Sequence, residues 1–243
     1  MQPWETIGQT RAPDGTALAL ARRGQEWVVR YGARVLMSSR THGSEDALAA
    51  LALERARRRR TILIGGLGLG FTLRAALDRA PPDARVVVAE LVAEVVAWSR
   101  GPVAHLAGRP LDDPRVRIQF RDVAAVVAEA RGAFDAILLD VDNAPGSPVL
   151  RGNDRLYGDA GVRVCARALA DGGVLAVWSA GPDDRYLERL ERAGLDAEAR
   201  PVAPLGVGPG RHVVFLGVKR AAPGRGAERP RPRPGLDRDR RRR

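Results

Sequence analysis

Apolar and polar residues alternate in two different ways along this chain, and the change comes near residue 44. Before it lie short runs at Thr16 to Ala21, Trp27 to Tyr31 and Arg34 to Met37, separated by Arg-Gly-Gln and Gly-Ala turns. That pattern predicts a small antiparallel β meander filling residues 1–43. Ser44 is placed to cap a helix, with Glu45 and Asp46 in its first turn, where carboxylates suit the helix dipole. Leu48, Leu51 and Leu53 carry this helix toward Arg58.

After the helix, short apolar runs alternate with amphipathic ones. Strands are predicted at Ile62 to Ile64, Arg85 to Ala89, Arg115 to Phe120, Phe134 to Leu139 and Val174 to Ser179. Helices are predicted at Phe71 to Arg79, Val92 to Ser99, Asp122 to Ala130, Tyr157 to Leu169 and Arg185 to Ala193, with Gly101 to Ala107 continuing one connection. Two further strands, near Glu198 to Val202 and His212 to Val218, are joined by a Pro/Gly loop instead of a helix. Alternating strands and helices imply an α/β fold: a Rossmann-like, mostly parallel seven-stranded sheet with a terminal antiparallel pair. Residues 44–220 are expected to form this cofactor-binding catalytic domain. Residues 221–243 read as a disordered, Arg/Pro-rich tail.

The chemistry concentrates where strands end. Thr61 to Gly70 reads TILIGGLGLG, a buried strand running into a glycine turn that opens a helix, and Glu90 ends the next strand. Glycines let backbone approach a ligand closely, and an acid at that second tip can hold two ribose hydroxyls. Gly66, Gly68 and Gly70 give G-x-G-x-G, whereas the dinucleotide fingerprint G-x-G-x-x-G has its third glycine one place later. The shorter spacing points toward S-adenosylmethionine (SAM) type cofactors, with no pyrophosphate to seat, and ranks a nicotinamide dehydrogenase lower. Open α/β sheets bind ligands at the carboxyl ends of their strands. Asp122, just beyond the third strand, and Asp140, Asp142 and Asn143, after the fourth, complete the set of polar tips. Asp122 can also be a plain helix cap, and Asp142 with Asn143 can simply shape the turn before Pro145-Gly146. Tyr157 is a candidate for the acceptor pocket or for helix packing.

Composition narrows the classes. A chain of 243 residues can bury a sizeable core. No apolar run reaches the ~20 residues of a membrane span, and the start Met1-Gln-Pro-Trp-Glu lacks a signal-peptide layout, so a cytoplasmic protein with no membrane partner is expected. Cys165 is the one cysteine, and His42, His105 and His212 are scattered, so no metal site is expected. The formal charge is +11, and the tail from Ala221 supplies +6 of it, nine Arg against Glu228, Asp237 and Asp239. Arg55 and Arg57 to Arg60 form a second basic cluster. Without interleaved aromatics or a nucleic-acid module, specific nucleic-acid recognition is not expected.

Taken together, several stretches resemble the spermidine synthase group, a branch of the class I SAM-dependent methyltransferase fold. They are Ile64-Gly-Gly, Thr72-Leu-Arg74, Glu90, Asp113-Pro-Arg-Val116, Asp122, the run Phe134 to Asp140, Leu156-Tyr157, and Ala168 to Leu175. The resemblance implies that Glu90 holds the ribose and Asp122 the adenine amino group. It implies that Gly66 to Gly70 pass under the cofactor arm, and that Asp140 receives a proton from an attacking amine. The group's glycine loop carries an acid for the aminopropyl nitrogen, where this chain has Leu67 and Leu69. Its second catalytic Asp is Asn143 here, with Asp142 one place early, and its Tyr-His-Glu segment has no match, His42-Gly-Ser-Glu45 occupying that neighbourhood.

A diamine needs a carboxylate for each desolvated ammonium. The reading that follows is a SAM-type transferase, leaning toward methyl transfer to an unidentified small acceptor, an amine among the candidates. Aminopropyl transfer from decarboxylated SAM to a polyamine stands second, and a non-catalytic adenosyl-ligand-binding protein third. A homodimer is compatible with this reading.

Overall fold

The computed structural model describes residues 2–140, 154–203 and 212–221. Asp142, Asn143 and the tail beyond Ala221 lie outside the described residues.

The N-terminal meander has four strands in sequential order, β1 (Glu5–Arg11), β2 (Ala17–Arg23), β3 (Glu26–Tyr31) and β4 (Arg34–Ser38), all antiparallel. The hydropathy pattern predicts only the last three. β1 reads ETIGQTR and buries none of its residues, so its place comes from backbone pairing with β2. Helix α1 (Gly43–Arg55) follows. The expected cap at Ser44 is not made: His42 occupies the N-cap position, and Ser44 lies buried inside the first turn.

The second sheet has order β10-β11-β9-β8-β5-β6-β7. It comprises β5 (Thr61–Gly65), β6 (Arg85–Ala89), β7 (Val116–Gln119), β8 (Phe134–Leu139), β9 (Leu169–Ser179), β10 (Leu195–Val202) and β11 (His212–Lys219). β5 to β9 pair in parallel; β11 runs antiparallel to both β9 and β10. Helices α2 (Phe71–Arg79), α3 (Ala93–Arg100), α4 (Val123–Glu129), α5 (Asp154–Tyr157), α6 (Asp159–Ala168) and α7 (Asp184–Arg192) connect the strands. Two expected boundaries move. The helix expected from Tyr157 to Leu169 breaks at Gly158, and β9 begins directly at Leu169. The Asp171-Gly-Gly turn becomes an irregularity within β9, which Gly172 permits with φ 77°.

Each core strand sorts its residues between two faces, as its period of two requires. Ile62, Ile64, Val86, Val88, Ala136 and Leu138 face one layer, which holds α1, α2 and the meander residues Leu18, Leu20, Trp27 and Val29. Leu63, Val87, Ile137, Leu139, Leu175 and Val177 face the other, with α4, α6 and α7. The meander is therefore packed into the first layer of the core, and its β2–β4 side chains reach the strand tips.

Candidate active site

The β5–α2 loop is shaped by its glycines. Gly66, Gly68 and Gly70 have φ of 85°, 54° and 87°, values that side chains resist. Gly68 is further constrained, because a Cβ there would sit 2.7 Å from Met37 Sδ on the meander. The loop is tied down by polar contacts as well. The Gly66 N–H donates to the Ala89 carbonyl at 2.9 Å, and Ser99 Oγ donates to the Gly68 carbonyl at 2.9 Å.

Glu90 stands at the tip of β6 and holds the loop from the other side. Its Oε2 accepts from the Leu67 N–H at 3.0 Å and its Oε1 from the Val92 N–H at 2.8 Å. Burial pushes its carboxyl above the ordinary range, while these backbone donors pull it back. Each carboxylate oxygen has a second lone-pair site, so Glu90 can support the loop and still accept from a ligand hydroxyl. Asp122 caps α4, its Oδ1 accepting from the Ala124 N–H at 2.8 Å, so the capping role is real. It also lines the cleft, together with Gly66, Gly68, Glu90, Leu91 and Val92. This outer compartment is open to solvent and occupies about 870 Å³; Leu18, Val29, Tyr31, Leu36 and Met37 of the meander form its roof.

A smaller compartment of about 460 Å³, inner only in lying toward α1 and equally open to solvent, adjoins it, lined by Glu45, Leu67, Leu69, Phe71 and Trp178. Leu36, Met37, Gly68 and Asp140 line both compartments. Asp140 thus stands on the wall between them. Its backbone N–H donates to the Gly65 carbonyl at 3.1 Å, which fixes it to the glycine strand. Its Oδ2 accepts from Thr72 Oγ1 at 2.5 Å. Burial raises its carboxyl above the ordinary range, and the Thr72 hydroxyl offsets part of that.

Glu45 is the site residue that hydropathy did not reveal. In sequence it reads as a dipole-complementing acid in a first helical turn. In the structure it turns inward, and Ser44 Oγ donates to its Oε2 at 2.6 Å. Ser44 Oγ also lies 3.1 Å from His212 Nδ1 on β11, so a hydroxyl that donates to Glu45 is placed to accept from the ring N–H. Burial first, then the charge of Asp140, push the Glu45 carboxyl up to about 7. The available signal was its position opposite the Tyr-His-Glu segment of the resembled group, but no local pattern separates this acid from Asp46.

The remaining assignments divide. Trp178 lines the inner compartment, with its ring edge-on to His212 at 4.9 Å. Tyr157 is 5% exposed and packs edge-on against Tyr186 at 6.0 Å, in the layer of α4, α6 and α7. It does not line either compartment, so packing is the role it has here.

No family model matches the chain. The polyamine aminopropyltransferase of Mycobacterium tuberculosis strain H37Rv is 32% identical over 126 residues, which is 51% of this chain and 23% of that protein. The polyamine aminopropyltransferase of Nitrosomonas europaea is 33% identical over 124 residues, 51% of this chain and 36% of that one. The chain therefore spans well under half the length of these curated relatives. Among solved structures, spermidine synthase from Thermotoga maritima aligns with a TM-score of 0.72 at 17% identity, over 89% of this chain and 74% of that one. At that identity the likeness speaks for the fold. The sequence motifs, the strand order and these likenesses agree: over half its length the chain is similar in sequence to polyamine aminopropyltransferases, and its fold is that of spermidine synthase.

Proposed function

We propose that this chain transfers the aminopropyl group of decarboxylated SAM to an amine. The observation that carries the reading is the position of Asp140 on the wall shared by the two compartments, with Glu45 on the inner side. Glu90 and Asp122 line the outer compartment and would hold the ribose and the adenine. The glycine loop would pass beneath the sulfonium arm.

The acceptor nitrogen must lose a proton before it can attack, and Asp140 is the carboxylate within the site to take it. Its raised affinity for protons brings it closer to an amine's range, which suits a general base. The nitrogen then forms a bond to the arm carbon next to sulfur. The carbon–sulfur bond breaks with its electron pair going to sulfur, and a neutral thioether, methylthioadenosine, departs. Thr72 holds the Asp140 carboxylate in one orientation throughout.

Methyl transfer from SAM was favoured by the sequence because Leu67 and Leu69 stand where an acid is expected. Two observations now favour the aminopropyl reading over it. The similar curated proteins are aminopropyltransferases, and Glu45 restores to the site a carboxyl that seemed lost. Incubation with each cofactor and a panel of amines tests this directly. Methylthioadenosine should appear with decarboxylated SAM, and S-adenosylhomocysteine should not appear with SAM. The reverse product pattern restores methyl transfer. Adenosyl binding without either product leaves a binding protein.

A further inference from the structure

We infer that the edge of the main sheet opposite the candidate site binds the phosphate backbone of a nucleic acid without reading its sequence. A cleft of about 660 Å³, open to solvent, lies where α1 leads into β5 and α2 leads toward β6. Among the described residues its lining is Arg57 to Arg60, Arg79, Ala80 and Pro81, with no acid. The backbone carrying the arginines is tied to three strands. The Arg57 N–H donates to the Gly172 carbonyl of β9 at 3.0 Å, and the Arg60 N–H donates to Asp135 Oδ2 of β8 at 2.8 Å. The Arg60 carbonyl accepts from the Arg85 N–H of β6 at 2.6 Å. A Cβ at Gly172 would lie 2.9 Å from Arg57 Cβ, so that glycine makes room for the run.

Like charges gathered around one cleft repel each other until an anion enters. The nearby acids are mostly committed elsewhere. Asp83 pairs with Arg60 at 3.3 Å, Glu198 with Arg55 at 2.7 Å and Asp113 with Arg115 at 2.8 Å, while Asp135 accepts from two backbone N–H groups. Among the described residues this leaves Arg57, Arg58, Arg59, Arg79 and Arg85 against Glu54 and Asp171. The segments outside the description do not reverse that sign. Residues 141–153 and 204–211 depart from the opposite edge, after Asp140 and after β10, and their charged residues are Asp142, Arg151 and Arg211. The tail departs from this edge, because β11 ends beside the start of β9, and it adds +6.

The chemistry of the patch selects its partner. Guanidinium groups meet phosphate oxygens two at a time and stay charged at any working pH. Consecutive arginines along a concave surface match a polymer of phosphates. Ala80 and Pro81 provide neither a wedge to insert into a lipid layer nor a ring on which a base could stack. Backbone contact is therefore what this surface offers. The five residues of β5 separate it from the candidate site by about 17 Å, so a bound polymer leaves both compartments open.

The cleft takes no part in the transfer chemistry, so its test stands apart from the aminopropyl reading. The full chain is titrated against fluorescein-labelled oligonucleotides of mixed sequence at rising salt, with anisotropy as the readout. Binding is expected at low salt, and log K should fall against log salt with a slope of about −3 or steeper. Scrambling the sequence should change affinity less than about twofold, since phosphates carry no sequence information. A strong sequence preference, or no binding at low salt, overturns the inference. Arg57→Ala, Arg58→Ala and Arg59→Ala combined should weaken binding about tenfold and flatten the slope by about 2–3. Lysine at the same three positions should retain most of the affinity. If the triple alanine variant does not fold, Arg79→Glu with Arg85→Glu, both exposed, should produce the same loss. Native affinity in the folded variant assigns binding to the tail and overturns the inference. Tighter binding to phosphatidylserine vesicles than to the oligonucleotides overturns it as well.

Discussion

The outer and inner compartments share a wall but are built on opposite plans. In the outer one, the carboxylate of Glu90 is met at both oxygens by backbone N–H groups, and Asp122 is engaged by the start of α4. Those acids are settled before any ligand arrives. In the inner one, Glu45 and Asp140 accept from side-chain hydroxyls, of Ser44 and Thr72, and burial makes both hold their protons more tightly than usual, as it does for Glu90. The difference teaches a division of labour. In the proposed function, backbone donors would make a rigid seat for the cofactor, while the buried carboxyls of the other compartment would meet incoming cations.

The sharpest way to break the comparison is Asp140→Asn. If Asp140 is the base, kcat should fall by a factor on the order of 10²–10⁴, with methylthioadenosine affinity nearly unchanged, as steady-state kinetics beside calorimetry would reveal. Unchanged turnover removes Asp140 from the chemistry. Next in size is Gly68→Val, which attacks the outer seat. A branched side chain at φ 54°, with its Cβ near Met37 Sδ, should lower adenosyl affinity tenfold or more. Its thermal stability should drop by about 1–3 kcal/mol, measured by denaturant titration. Full affinity in that variant would mean that the loop does not approach the ligand.

A third measurement separates the two plans by pH. Folded Glu45 binds its proton up to about pH 7, against an ordinary value of 4.5. Between those values the folded chain holds more protons than the unfolded one, so stability should decline as pH rises through this window. The contribution is complete below about 4.5 and gone above about 7. Because Glu45 is partly exposed, the expected loss is on the order of 1–2 kcal/mol, and Glu45→Gln should flatten it. An identical slope in the variant would assign the decline elsewhere. The smallest effect concerns Asp122. Asp122→Ala should cost about 1 kcal/mol by removing the α4 cap, and Asp122→Asn should restore most of that. A large affinity loss in Asp122→Asn would show that the carboxylate also serves the ligand.

Much of the outer compartment was legible because its parts are local. The run TILIGGLGLG announces strand, turn and helix in ten consecutive residues, and Glu90 follows at the next strand tip. Strand β1 escaped notice because it buries no side chain, so no periodicity marks it. Ser44 looked like a cap because hydroxyls are good caps, yet tertiary packing gave that hydroxyl to Glu45 and His212. Tyr157 looked like a pocket residue because it follows the Asp140 segment, but its ring fills the core against Tyr186. Asp142 lies outside the described residues, and its role as a second catalytic acid stands as proposed from sequence alone.

Hydropathy period, glycine spacing and strand-tip acids determined the sheet and the edge at which its polar tips gather, since each depends on neighbours within a few residues. What only the tertiary structure decided is the inner compartment. Glu45 on α1, Asp140 just past β8, Thr72 on α2 and Trp178 on β9 are separated by up to 133 positions (45 to 178), and only the completed sheet brings them to one end. Burial of both acids, and the charge of Asp140 beside Glu45, have no local sequence signature, yet they make two ordinary carboxyls hold their protons more tightly.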